Sequence, residues 1–85
     1  MGKYRIEVKN SAIKELHATP KKDLKRILFK IKSLSDNPRP KGCIKLSGKE
    51  RYRLRQGNYR ILYSIEDKIL VVYVVKIGHR KNVYR

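Results

Sequence analysis

The chain contains the stretch Arg51-Tyr-Arg-Leu-Arg-Gln-Gly-Asn-Tyr-Arg-Ile-Leu-Tyr63, whose alternation of residue types predicts a β-hairpin. Successive side chains of a strand point to opposite faces, so Arg51, Arg53 and Arg55 should share one face. Gly57-Asn58 is suited to a two-residue turn between the strands. The sequence therefore predicts a hairpin with its arginines on one side.

The length of this turn fixes which residues lie opposite each other. A two-residue turn places Arg55 opposite Arg60, whereas a three-residue turn would pair Arg60 with Leu54 and break the cluster. Like charges placed directly opposite destabilise a sheet, and residues 51–65 contain no acid that could compensate. The arrangement favours a face that binds a polyanion over a solvated face.

The composition supports the same conclusion for the whole chain. Its 85 residues include 23 Lys and Arg but seven Asp and Glu, a formal net charge of +16. Such a charge is typical of proteins with an acidic partner, most often nucleic acid. The length predicts one domain over residues 1–85, and 40% apolar residues favour a folded chain over a disordered basic tail.

The sequence also limits where the protein works and what it binds. No N-terminal run resembles a signal peptide, and no segment is long enough to span a membrane. Cys43 is the single cysteine, which excludes an internal disulfide, and two histidines add too few ligands for a zinc site. We expect a cytoplasmic protein without a metal or another cofactor.

The N-terminal half predicts one strand followed by two helices. Residues 4–8 alternate between polar and apolar side chains and are rich in strand formers. A short helix should follow, with its cap at Asn10 or Ser11. Thr19 and Pro20 predict the start of a longer helix, with Thr as the cap and Pro in the first position. The second helix should end before the prolines of Asn37-Pro-Arg-Pro40.

Apolar residues recur at helical spacing in both predicted helices. The residues expected to face the core are Ile13 and Leu16 in the short helix and Leu24, Ile27, Leu28, Ile31 and Leu34 in the long one. We therefore expect both helices to pack against a sheet.

The C-terminal third predicts the rest of that sheet. Residues 69–75 are all apolar and mostly β-branched, which predicts a strand buried on both faces after a turn at 66–68. Its natural place is beside the strand 59–65, and the basic segment 77–85 should lie along the sheet. The predicted fold class is α+β, in the order β-α-α-β-β-β with a possible further strand. Two helices should cover one face of a small antiparallel sheet.

Several short motifs in this order resemble the RelE/ParE superfamily of toxins of type II toxin–antitoxin systems. They are Asn37-Pro-Arg-Pro40, Lys45-Leu-Ser-Gly48, Tyr52-Arg-Leu-Arg55, Gly57-Asn-Tyr-Arg-Ile-Leu-Tyr63 and Gly78-His-Arg-Lys-Asn-Val-Tyr-Arg85. The resemblance covers essentially the whole chain. It implies a monomeric, basic, cytoplasmic toxin that an acidic RelB-like antitoxin neutralises by forming a hetero-oligomer.

The RelE branch cleaves messenger RNA in the ribosomal A site by metal-free attack of a 2′-hydroxyl on the adjacent phosphate. The catalytic residues that the resemblance implies are Arg55, Arg60, Arg80 and Tyr84. The implied RNA-binding residues are Arg51, Arg53, Lys45, Lys81 and His79. In this scheme Arg60 clamps the phosphate, Arg80 lies near the leaving group, and Tyr84 stacks on, or hydrogen-bonds to, a nucleotide.

One departure from the RelE pattern concerns the general base. RelE-type enzymes have lysines where this chain has Arg53 and Arg55, and arginine does not give up a proton in proteins. His79 belongs to a residue type that transfers protons near neutral pH, but it reaches the site only if the chain bends near Gly78. Two alternatives stay open: a ParE-type inhibitor of DNA gyrase without nuclease chemistry, and a non-catalytic basic RNA-binding protein.

Overall fold

The computed structural model describes residues 2–46 and 51–79. Within them lie two helices and a five-stranded sheet: β1 (Arg5–Val8), α1 (Asn10–His17), α2 (Lys21–Ser33), β2 (Ile44–Lys45), β3 (Arg51–Gln56), β4 (Tyr59–Glu66) and β5 (Val71–His79). The predicted α+β class and element order are confirmed. In this part of the chain, neither helix is long and apolar enough to cross a membrane.

The sheet has the strand order β1-β5-β4-β3-β2, and its first pair departs from the expected antiparallel pattern. β1 lies parallel to β5, while the other neighbouring strands are antiparallel. The helices return the chain to the start of β1, where the Tyr4 N–H donates to the Ser35 carbonyl at 3.0 Å. The Ser35 hydroxyl donates in turn to the Tyr4 carbonyl at 2.6 Å. These two hydrogen bonds hold the segment that follows α2 beside the start of β1.

The hydrophobic core lies between the helices and one face of the sheet. It consists of Ala12, Ile27, Ile31, Leu34, Tyr52, Leu54, Ile61, Tyr63, Ile65, Val72, Val74 and Ile77. In β3, the buried Tyr52 and Leu54 alternate with arginines. The helices therefore cover one face of the hairpin and leave the arginines on the other.

Two of the predicted core residues of the helices are wrong. Ile13 is 38% exposed, and its neighbour Ala12 is fully buried in its place. Ile13 instead lines a surface groove between the two helices, together with Leu24 and Leu28 of α2. Leu28 is 45% exposed, whereas Ile27 and Ile31 form the buried stripe of α2.

The predicted helix caps are also wrong. α1 already includes Asn10, so that Lys9 is at the cap position, and no side chain caps the helix. α2 begins one residue later than predicted, with Pro20 as its cap residue. The Thr19 hydroxyl instead donates to the Glu15 carbonyl at 2.7 Å, in the last turn of α1. Thr19 therefore closes the first helix and does not start the second.

The apolar run 69–75 is divided between a turn and a strand. Ile69 and Leu70 are 68% and 42% exposed in the turn, and β5 begins only at Val71. Leu70 has φ +53°, a left-handed conformation that is strained for a leucine. Its carbonyl accepts the Arg5 N–H at 2.8 Å, which ties the turn to β1. The expectation that the whole run forms a strand is therefore wrong for its first two residues.

Candidate nucleic-acid interface

The turn at Gly57-Asn58 sets the register of the hairpin. Gly57 has φ +60°, as required at the first central position of a type II′ turn, where glycine is favoured. Arg55 is directly opposite Arg60, and Leu54 is opposite Ile61. The two-residue turn and the pairing that follows from it are confirmed.

The hairpin arginines share the face of the sheet that points away from the helices. Paired residues of neighbouring strands project to the same side, so Arg60 accompanies Arg55. Tyr52 and Leu54 alternate with the arginines of β3 and are buried in the helix-side core. We call this surface the arginine face; it carries Arg51, Arg53, Arg55 and Arg60.

Arg55 and Arg60 differ in their surroundings. Arg55 is exposed, and its Nε donates to the carbonyl of Gly57 at 3.3 Å, within the turn. Arg60 is half-buried, with its Nε and Nη1 atoms inaccessible to solvent. On its other side it is opposed by Gly78 of β5, which has no side chain. The site thus combines a solvent-facing guanidinium with one held inside the protein surface.

A second row of side chains crosses the arginine face beside this pair. Ile44, Arg53, Leu62 and Lys76 are opposed in turn across β2, β3, β4 and β5. Leu62 is 9% exposed although it lies outside the helix-side core. Leu62 and Lys76 are not among the predicted site residues, although the two-residue turn predicts Leu62 opposite Arg53, and that pairing is confirmed. Alternating apolar and cationic side chains suit a nucleotide chain, whose bases stack and whose phosphates are anionic.

Two predicted RNA-binding residues are not on the arginine face. Lys45 is paired with Tyr52, and His79 with Tyr59, so both project toward the helix side of the sheet. The His79 ring meets the Tyr59 ring edge-on, with their centroids 5.5 Å apart. The structure therefore does not bring either residue together with Arg60. The predicted residues Arg80, Lys81 and Tyr84, and the motif residues Ser47 and Gly48, lie outside the described residues.

On the helix side, an ion pair ties the segment after α2 to the strands. Arg39 donates from Nη2 to Oδ2 of Asp67 at 2.8 Å and from Nη1 to Oδ1 at 3.2 Å. The Tyr4 hydroxyl donates to the same carboxylate at 2.7 Å. The hydrogen bonds from Arg39 and then from Tyr4 hold the pKa of Asp67 below its ordinary value. Arg39 also donates from Nε to the Tyr52 hydroxyl at 3.2 Å.

Tyr63 adds a buried contact to this anchor. Its side chain is fully buried, and its hydroxyl donates to the Pro38 carbonyl at 2.7 Å. Burial raises the pKa of Tyr63 above its ordinary value, because an ionised phenol is poorly solvated there. The ring stacks on Tyr52 with centroids 5.8 Å apart. Contacts on the helix side thus hold the strands that carry the arginine face.

Comparisons with known proteins give matches over nearly the whole chain. The family model described as "ParE toxin of type II toxin-antitoxin system, parDE" matches residues 6–84. "Putative toxin RelE1" of Methanocaldococcus jannaschii is 30% identical, with 98% of this chain and 97% of that protein covered. "Toxin RelG" of Mycobacterium tuberculosis is also 30% identical, with 96% and 97% covered.

Among solved structures, the chain is similar to one described as the "archaeal RelE-RelB complex from Pyrococcus horikoshii OT3". The TM-score is 0.84 at 31% identity, and the match covers 95% of this chain and 99% of the matched chain. The sequence and structure comparisons each cover more than nine-tenths of this chain. The chain therefore belongs to the RelE/ParE superfamily of toxins of type II toxin–antitoxin systems.

Proposed function

We propose that this protein is a ribosome-dependent endoribonuclease that cleaves messenger RNA in the ribosomal A site and so inhibits translation. The observation that carries the proposal is the direct opposition of Arg55 and Arg60, with Arg53 on the same face. Attack of a 2′-hydroxyl on the adjacent phosphate forms the O2′–P bond and breaks the P–O5′ bond. The hydroxyl proton passes to water, the 5′ oxygen takes one up from water, and negative charge builds on the phosphate oxygens in between. Cations already fixed in place stabilise such charge without reorganisation during the reaction.

The two opposed arginines take electrostatic roles in this scheme. Arg60 clamps the phosphate as a positive charge held partly inside the protein. Because its Nε and Nη1 atoms are inaccessible to solvent, we propose that Nη2 donates the hydrogen bond to the phosphate. The more exposed Arg55 polarises the attacking hydroxyl and stabilises charge on the transition state. Neither arginine accepts a proton, because arginine stays protonated in proteins. The proposal therefore assigns no general base to the hairpin.

The C-terminal residues take their proposed roles from the family resemblance. β5 reaches His79, the last residue that the structure describes, and Arg80 follows it in the sequence. We propose that Arg80 stabilises the leaving oxygen, that Tyr84 stacks on or hydrogen-bonds to a nucleotide, and that Lys81 adds to RNA binding. Lys45 and His79 stay outside the proposed site because they project from the opposite face.

The proposed partner is an acidic antitoxin encoded beside the toxin. A net charge of +16 on 85 residues favours an acidic protein, and the similar archaeal RelE was solved in a complex with RelB. We propose that the toxin is a single cytoplasmic domain, monomeric until its antitoxin wraps it. The antitoxin would fold on the toxin and cover the arginine face or displace the C-terminal segment.

A second candidate function is inhibition of DNA gyrase by protein binding. The family model that matches residues 6–84 is named for ParE, which favours keeping this alternative. The deciding experiment measures messenger RNA cleavage on programmed ribosomes and supercoiling by gyrase with the same purified protein. Cleavage without an effect on gyrase supports our proposal. Gyrase inhibition without cleavage would replace it with the second candidate, and RNA binding with neither activity would leave a plain RNA-binding protein.

A further inference from the structure

The arginine face continues into a pocket of about 360 Å³ where the sheet meets α1. Three cationic side chains line it, from Lys9, Arg51 and Lys76, and two apolar ones, from Leu62 and Val75. Its volume falls within the roughly 300–1,000 Å³ of small-molecule sites. Cations beside an apolar surface match the two chemical parts of a nucleotide, its phosphate and its base.

An irregularity in β5 explains how the apolar part arises. Leu62 is opposite Lys76, but the next pair along is Tyr63 and Val74, which leaves Val75 as an extra residue. A bulge of this kind changes the direction of the side chains around it. Val75 consequently lines the same pocket as Leu62 and Lys76 and is only half-buried.

The pocket also contains the carboxylate of Glu15, which is already engaged by the protein. Its Oε1 accepts the backbone N–H of Ile77 at 3.0 Å, at the edge of β5 that β1 does not cover. Its Oε2 lies 3.5 Å from Nζ of Lys76. Glu15 therefore offsets one of the three cations, and the pocket keeps a positive charge from Lys9 and Arg51.

The pocket lies next to the proposed cleavage site. Leu62 follows Arg60 by two residues on the same strand and face, a separation of about 6.8 Å in an antiparallel strand. Leu62 is also directly opposite Arg53, so the pocket and the arginine cluster share a border. An RNA strand whose scissile phosphate is bound at Arg60 can thus place a neighbouring nucleotide in the pocket.

We propose that this pocket is a subsite for the nucleotide next to the scissile phosphate in the substrate strand. Its phosphate binds Lys9 and Arg51, and its base and ribose pack on Leu62 and Val75. This inference rests on the proposed RNA cleavage and extends its substrate contacts beyond the hairpin to α1. The subsite would hold the strand in register while Arg55 and Arg60 act on the phosphate.

The test compares two double variants that remove equal charge. Lys9→Ala with Arg51→Ala alters the pocket, and Lys22→Ala with Lys25→Ala alters the exposed outer side of α2. The probes are a dinucleotide and a hexanucleotide of 2′-O-methyl RNA, which lacks the attacking hydroxyl. Their affinities are measured over a salt series, and thermal unfolding shows that each variant is folded.

For the hexanucleotide, the pocket variant should lower the slope of log K against log salt by about 0.7, the loss of one phosphate contact on a single strand. The helix variant should leave the slope unchanged. The dinucleotide has a single phosphate, which binds at Arg60, so it lacks the phosphate that Lys9 and Arg51 would hold, and the pocket variant and the wild type should bind it equally. A third variant, Val75→Ser, should weaken hexanucleotide binding at every salt concentration without changing the slope.

Equal hexanucleotide binding by the pocket variant and the wild type would overturn the subsite, while cleavage by the wild type would leave the proposed function standing. The subsite would also be overturned if the pocket variant bound ribosomes more weakly but bound the hexanucleotide as the wild type does. Lys9 and Arg51 would then contact ribosomal RNA and not the substrate strand. If the wild type cuts no messenger RNA but the pocket variant loses hexanucleotide affinity, RNA binding stands and the nuclease function fails.

Discussion

Arg55 and Arg60 occupy directly opposed positions on neighbouring strands, so two like charges face each other on the arginine face. Arg55→Glu turns this repulsion into an attractive pair and should stabilise the protein by about 0.5 kcal/mol in low salt. The same change should abolish RNA cleavage, because a carboxylate repels the phosphate. Urea unfolding measures the first effect and ribosome assays the second.

Lys25→Glu is the control for Arg55→Glu, since it changes the net charge equally on the outer side of α2. It should relieve only the general repulsion of a chain with a +16 charge. If both variants gain the same stability, the cross-strand repulsion does not exist as described.

Gly57 should be required for the stability of the hairpin, because its φ is +60°. Gly57→Ala forces a Cβ atom into a left-handed conformation and should cost about 1–2 kcal/mol. Gly57→Asn should cost less, because asparagine tolerates positive φ in turns. Chemical unfolding of the three proteins tests the order, and an alanine variant as stable as the wild type would exclude the assigned turn.

The ion pair between Arg39 and Asp67 should make stability depend on pH in the acid range. Folding lowers the pKa of Asp67, so the folded state favours the ionised carboxylate. The resulting stabilisation is complete above the ordinary aspartate value of about 3.9 and is lost as the pH falls through the lower pKa of the folded state.

Asp67→Asn should therefore lower Tm relative to the wild type at pH 6, and the difference should shrink below about pH 4. Glu66→Gln, at an adjacent exposed acid outside this cluster, is the matched control. A difference between wild type and Asp67→Asn that stays constant down to pH 2 would show that the carboxylate charge contributes nothing.

The proposed antitoxin should bind quickly and in a salt-sensitive manner. The neighbouring reading frame should encode a small acidic protein, and its association rate should fall steeply as salt is raised, because charge steers the encounter. Stopped-flow mixing over a salt series measures this rate. A basic or neutral partner, or an association rate indifferent to salt, would contradict the proposal.

The parts of this fold that depend on local geometry could be predicted from the sequence. Turn length and strand alternation are local, so Gly57-Asn58 was enough to pair Arg55 with Arg60. The pairing of β4 with β5 depends on residues that are distant in sequence. Its bulge at Val75 could not be predicted, because the apolar residues 71–75 contain no feature that marks one of them as extra. The same Gly57-Asn58 turn also predicts Leu62 opposite Arg53, but an apolar side chain at that position does not by itself indicate a contact with RNA.

Other errors came from three-dimensional packing. The spacing of Ile13 fits an inward position, yet Ala12 takes the buried position and Ile13 lines the groove between the two helices. Lys45 belongs to a motif of the family, but a motif does not state which face of the sheet a side chain takes. The pairing of Lys45 with Tyr52 directs its side chain to the helix side. The parallel pairing of β1 with β5 joins residues more than 60 positions apart, which no local pattern encodes.

The most direct test of the central claim is the rate of messenger RNA cleavage on programmed ribosomes by Arg60→Ala and Lys25→Ala. Both changes remove one positive charge, but only Arg60 lies at the proposed reaction centre. We expect Arg60→Ala to slow cleavage by about 10²–10³-fold, as for the loss of a donor aimed at transition-state charge. Lys25→Ala should have a small effect that disappears in high salt. Equal cleavage rates for the two folded variants would contradict the assignment of the arginine face as the active site.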